Sequence, residues 1–152
     1  MVRSLLYAAS LVSAFVLIAS AHAADEPKEL KADCPVSGKA AKAEHSVDYK
    51  GGKVYFCCPN CPGAFEKNTA KFSSKANHQL VVTGQATEVK CPLTGRPLNE
   101  STAIDVDGAK VAFCCNNCKG KAEKAEGNEQ IDLIFNDKAF DQGFKVARKT
   151  AK

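Results

Sequence analysis

Apolar residues fall along this chain in three regimes. The first is a continuous run from Leu5 to Ile18, interrupted only by small or weakly polar residues, with Arg3 ahead of it and Ala21-His22-Ala23 behind it. A positive start, an apolar middle and an A-x-A end predict a secretory signal peptide over residues 1–23, cleaved after Ala23. An uncleaved anchor is the competing reading, because the uncharged stretch Ser4–Ala23 reaches the length of about 20 residues that spans a bilayer. The placement of the A-x-A and the charged residues directly after it favour cleavage, and no cysteine lies nearby to carry a lipid. The second regime is alternation. His45–Tyr49 alternates, Gly51-Gly52 turns, and Lys53–Cys57 returns; Thr102–Val106, Asp107-Gly108 and Lys110–Cys114 repeat the sequence of events. Both read as β-hairpins. The third regime favours helix, at Ala64–Lys67, at Lys121–Ala125 with Gly127 as a helix C-terminus, and at Lys138–Lys149. The last segment carries Phe140, Phe144 and Ala147 at i, i+4 and i+7, and the aromatic pair is expected to pack in the core.

The two hairpins belong to a repeat. From Cys34 to Lys67, 15 of 34 positions are identical to the position 57 residues on, without a gap, so the chain is a tandem duplication. Cys34-Pro35-Val36-Ser37-Gly38-Lys39 answers to Cys91-Pro92-Leu93-Thr94-Gly95-Arg96, and Lys53–Cys61 answers to Lys110–Cys118. Beyond the helices the register breaks. Gln79-Leu80-Val81-Val82 resembles Gln130-Ile131-Asp132-Leu133 at an offset of 51. The expected organisation is a signal peptide (1–23), a linker (24–33), a first unit (34–82), a polar connector (83–89) and a second unit with a C-terminal helix (90–152). Units near 50 residues seldom stabilise themselves by apolar burial alone and call on metals, disulfides or a neighbour. The two copies are therefore expected to share a core, with Phe140 and Phe144 buried.

Charge excludes one class of partner. Without Arg3 the chain carries 20 basic and 17 acidic residues, too balanced a surface to argue for nucleic acid. No second apolar run reaches spanning length, so no stable membrane insertion is expected after cleavage, and the destination is periplasmic or secreted.

All eight cysteines lie in the repeat, as Cys34, Cys57, Cys58 and Cys61 and as Cys91, Cys114, Cys115 and Cys118. Thiolates grouped in this way hold soft or borderline metals or pair as disulfides. A Cys-Pro-x-x-Gly turn, a hairpin and a cysteine pair at a helix start make the layout of a treble-clef zinc finger. The expected fold is thus α+β: two small treble-clef-like modules in tandem, each a hairpin followed by helix. Four sulfurs per copy suit the tetrahedral site that zinc prefers.

These motifs carry a family resemblance. The spacing of Cys34, Cys57 and Cys61, and of Cys91, Cys114 and Cys118, resembles the three-cysteine pattern of TRASH domains. The segment Val47–Cys57, with Phe65 and Phe72 downstream, is similar to the YHS core. The resemblance spans both copies and implies binding of heavy metals, copper especially, in sensing, trafficking or resistance. Two departures stand out. Ser37 and Thr94 occupy a first-turn position where related fingers often have a cysteine, and Cys58 and Cys115 are additional. The extra cysteine would close a four-sulfur site. If neighbours on an extended segment face opposite ways, three sulfurs with an open position remain, which suits Cu+ or a site that hands metal on.

Against copper, the chain past Met1 has no methionine, and His45 and His78 read as ordinary surface or packing residues. Two rival functions remain. Export and an even cysteine count allow a module stapled by four disulfides. Cys58-Pro59-Asn60-Cys61 and Cys115-Asn116-Asn117-Cys118 are C-x-x-C sequences that could cycle as dithiols, though copies this small and hairpin-led differ from a thioredoxin-like setting. No residue cluster resembles a hydrolytic or transfer site, so an enzyme is not expected. The reading is an exported protein with up to one Zn2+ or Cu+ per unit, held by the eight cysteines, with a metal-trafficking protein as candidate partner.

Overall fold

The computed structural model describes residues 30–147; the expected signal peptide lies outside them. The described chain is mixed α and β, with small antiparallel pairs in place of one large sheet. The first copy begins with strands β1 (Lys42–Tyr49) and β2 (Gly52–Phe56), then helices α1 (Asn60–Lys67) and α2 (Thr69–Val82), then β3 (Ala86–Glu88). The second has β4 (Asn99–Val106), β5 (Ala109–Phe113), α3 (Asn116–Lys124), α4 (Gly127–Phe135), α5 (Asp137–Gly143) and β6 (Phe144–Val146).

Both expected hairpins form, β1 with β2 and β4 with β5. Their turns are conformational twins. Lys50-Gly51 and Asp107-Gly108 all have positive φ (49° and 87°, 49° and 83°), the two-residue geometry that matches strand twist and requires left-handed residues. The first turn thus sits one residue earlier than Gly51-Gly52. Gly52 belongs to β2, and a Cβ there would stand 2.8 Å from Leu80 Cδ2.

Four other expectations change. The helix at Ala64–Lys67 begins four residues earlier, and α2 follows it after a break at Asn68. The connector 83–89 contains β3, which pairs antiparallel with β6. Gly127 opens α4, while α3 ends at Lys124. The helix expected over Lys138–Lys149 stops at Gly143, so Phe144 lies in a strand. Close approach explains the stop. A Cβ on Gly143 would stand 2.9 Å from Pro92 Cα, and the Gly143 carbonyl accepts from the amides of Val89 and Lys90.

The copies are joined through one core. Helix α2 packs on α4, α5 and β5 as well as on β2. Phe56, Phe113, Phe135, Leu80 and Ile134 are fully buried together. Phe140 and Phe144 are buried as expected, stacked at 5.3 Å between ring centroids, with Phe135 at 5.5 Å from Phe144. Each hairpin tip also meets the other copy. Lys50 at the first tip places Nζ 3.0 Å from Asp137 and 2.6 Å from Asp141 of α5. At the second, His78 of α2 sets Nε2 3.0 Å from the Val106 carbonyl and its ring edge-on to Phe135, which makes it the packing histidine expected. No helix of the described residues is long and apolar enough to cross a membrane.

Candidate metal centres

Each copy builds a pocket of sulfur from three pieces of chain. The first is a tight turn. The Cys34 amide donates to the Lys39 carbonyl at 2.7 Å, and Gly38, at φ +68°, donates back to the Cys34 carbonyl at 2.8 Å. Cys91, Arg96 and Gly95 (φ +69°) repeat this at 2.9 and 2.7 Å. Only a residue tolerant of the left-handed region closes such a turn cheaply, hence the glycine. The second piece is the end of the hairpin, which delivers Cys57 and Cys114. The third is the start of a helix, which delivers Cys61 on α1 and Cys118 on α3.

These pieces bring three sulfurs together in each copy. The Sγ atoms of Cys34, Cys57 and Cys61 all lie within 4.8 Å of one another, and so do those of Cys91, Cys114 and Cys118. Cys57 and Cys61 are 3.7 Å apart, as are Cys114 and Cys118. Two bonds of about 2.3 Å to one ion separate sulfurs by about 3.8 Å at a tetrahedral angle and about 4.0 Å at a trigonal one. The pockets therefore have the size of a thiolate metal site before any ion enters. All eight cysteines are free thiols.

Cys58 and Cys115 stand at the side of these sets. Cys58 Sγ is 3.4 Å from Cys61, and Cys115 Sγ is 3.7 Å from Cys114, but neither joins the mutually close three. A hydroxyl takes up the space that the first-turn substitution suggested: Ser37 Oγ is 3.1 Å from Cys57 Sγ, and Thr94 Oγ1 is 3.2 Å from Cys114 Sγ.

Electrostatics divide the thiols alike in both copies. Burial opposes ionisation of Cys34, yet the Ser37 hydroxyl and the amides of Cys57, Ser37 and Val36 outweigh it and bring the thiol down to about 7. Cys91 is also lowered, by Thr94 and the amides of Cys114, Leu93 and Thr94 against burial. Burial and the neighbouring thiols push Cys61 far up and Cys118 to about 12. Cys58 is lowered by its contact with Cys61 and the first amides of α1, and Cys115 by the Cys118 amide and Cys114. Each pocket thus sets a cysteine whose ionisation is favoured at its base beside one whose ionisation is opposed.

The surroundings contain a residue that sequence reasoning passed over. The Ala112 amide, two residues before Cys114, donates to Glu88 Oε2 at 2.8 Å, while Oε1 is buried without a hydrogen-bond partner among the described residues. Burial pushes this carboxyl up to about 7, the Ala112 amide opposes the rise, and the charge of Cys91 adds to it. In the first copy the equivalent Tyr55 amide donates to Gln79 Oε1 at 2.6 Å. Glu88 carried no signal in the sequence, since it sits in a polar connector and the repeat pairs it with Lys31.

No family model, curated protein or solved structure matches the chain.

Proposed function

We propose that the chain is an exported metal-binding protein whose two treble-clef-like units, of TRASH/YHS type, each hold one zinc or copper(I) ion. Cys34, Cys57 and Cys61 ligate the first ion, and Cys91, Cys114 and Cys118 the second. The role is buffering or trafficking of metal outside the cytosol, by binding and not by catalysis. The observation that carries this reading is the pair of three-sulfur pockets with separations suited to one ion. Three thiolates with a hydroxyl beside them complete a trigonal copper(I) sphere as they stand, whereas zinc would need a fourth ligand. The leader-like start of the chain supports export, and the cysteine spacing supports the family reading.

The test is metal analysis of protein purified with and without reductant, with a thiol count and titration by Zn2+ and Cu+. Two ions per chain on eight reduced thiols are expected. Four disulfides with no free thiol, or no bound ion of either kind, would overturn the proposal.

A further inference from the structure

Two cysteines have no place among the three ligands of each pocket, and their position gives them one. Cys34 and Cys91, the bases of the pockets, are 1% and 0% exposed, so an acceptor cannot replace those two sulfurs directly from solvent. Cys58 and Cys115 are partly exposed, and each sulfur touches one member of its own set, at 3.4 and 3.7 Å. The arrangement occurs twice, in copies that differ at the adjoining residue, Pro59 in one and Asn116 in the other. Neither sulfur serves as a helix cap: Cys58 lies one residue ahead of Pro59, which precedes α1, Cys115 directly precedes α3, and neither helix start has a side-chain capping bond. Thiols at both starts, against a sulfur cluster, ask for a sulfur's chemistry.

We propose that Cys58 and Cys115 are exchange thiols, each taking the metal ion over from the buried cysteine of its own set and presenting it to a thiol-bearing acceptor at the surface. The proposal rests on the metal-binding reading above. In the step, a bond from the ion to Cys58 Sγ forms while the bond to Cys34 Sγ breaks, and Cys57 and Cys61 hold the ion throughout. The Cys58 thiol gives its proton to solvent, the released Cys34 thiolate takes one up, and no electron moves. The acceptor's thiolate then displaces the outer ligands in the same way. Cys115 and Cys91 do this in the second copy.

The experiment loads the full reduced chain with Cu+ and mixes it with excess bathocuproine disulfonate, following copper release. In the double variant Cys58→Ser/Cys115→Ser, an oxygen remains at each helix start. It is expected to bind as many ions as the unaltered chain and to release them about tenfold more slowly, roughly 1.4 kcal/mol in barrier. Full loading with an unchanged rate overturns the exchange role and leaves metal binding standing. Loss of ions from the variant also overturns it, by making the two cysteines resident ligands. An unaltered chain that binds no copper or zinc overturns the metal reading itself. A second measurement needs no variant. Iodoacetamide on the copper-loaded chain is expected to alkylate Cys58 and Cys115 and spare the other six, and protection of these two overturns the proposal.

Discussion

The two halves of this molecule repeat their sulfur and differ in what holds it in place. In the first, Gln79 reaches from α2 to the edge of β2. Its oxygen accepts from the Tyr55 amide, and its nitrogen donates to the carbonyls of Asp33 and Tyr55 at 2.7 and 2.9 Å. Gln85 pairs with the amide and carbonyl of Lys53 in the same manner, both at 2.7 Å. Two side-chain amides thus stand in for a neighbouring strand and cover an edge that would otherwise be left unpaired. In the second half the equivalent amide meets Glu88, a carboxyl with one oxygen left unpartnered among the described residues. A duplicated site can keep its ligands while its support is rebuilt from a different element, because the backbone amide asks only for an acceptor.

The largest effect that can break this comparison is loss of an ion. Cys61→Ser is predicted to remove the first ion and leave the second, and Cys118→Ser the reverse, read by metal analysis. Loss of both ions from either variant would show that the sites are not separate. In Cys118→Ser the remaining first site should weaken as pH falls below about 7, where Cys34 regains its proton.

Next comes the aromatic packing around Phe65, whose counterpart in the second copy is an alanine. Phe65 is buried edge-on to Tyr49 and tilted against Phe56, both at 5.4 Å, whereas its counterpart Ala122 is a buried methyl whose carbonyl accepts from Gln130. Phe65→Ala is predicted to cost about 3–5 kcal/mol in denaturant unfolding. A cost under about 1 kcal/mol would show that the site collapses freely.

The hairpin tips differ more gently. Lys50 pairs with Asp137 and Asp141 across the copies, while Asp107 at the twin position is exposed. Lys50→Ala should cost about 1 kcal/mol, less at high salt, and Asp107→Asn should stay within about 0.5 kcal/mol. Equal effects at the two tips would remove this asymmetry.

The last effect concerns Glu88; it shows only as pH rises, and its sign is fixed by linkage. Its folded value, about 7, is raised from an ordinary 4.5. The folded state therefore keeps a proton that the unfolded chain has released, and this contribution to stability is lost as pH rises from about 4.5 through 7. Glu88→Gln keeps an acceptor for Ala112 and removes the slope. The metal-free variant should be more stable than the parent at pH 8 and match it near pH 4, by thermal midpoint. A slope that survives in the variant would acquit Glu88.

Legibility followed the kind of signal each segment carries. The hairpins were plain because alternation and a glycine turn are local. Helix α2 left only a weak trace: of its five buried residues, Ser73, Asn77 and Gln79 are polar, so no apolar stripe marks it. Those residues are buried because they have tertiary partners. Asn77, for example, donates to the Phe135 carbonyl at 2.8 Å and to Asp137 at 3.1 Å. The pair Phe140 and Phe144 predicted burial correctly and continuous helix wrongly, because a spacing of four says nothing of the backbone that must pass Pro92; Ala147, at i+7, is exposed.

The sequence by itself determined the duplication, the hairpins, the glycine turns beneath Cys34 and Cys91, and the eight sulfurs as the chemistry to explain. All of these are written in identity, spacing and short-range conformation. Only the tertiary structure decided which three sulfurs of each four converge, that β3 and β6 pair, and that α2 braces the opposite hairpin. Those outcomes depend on distances between segments remote along the chain, which are fixed when a shared core forms and which no local pattern encodes.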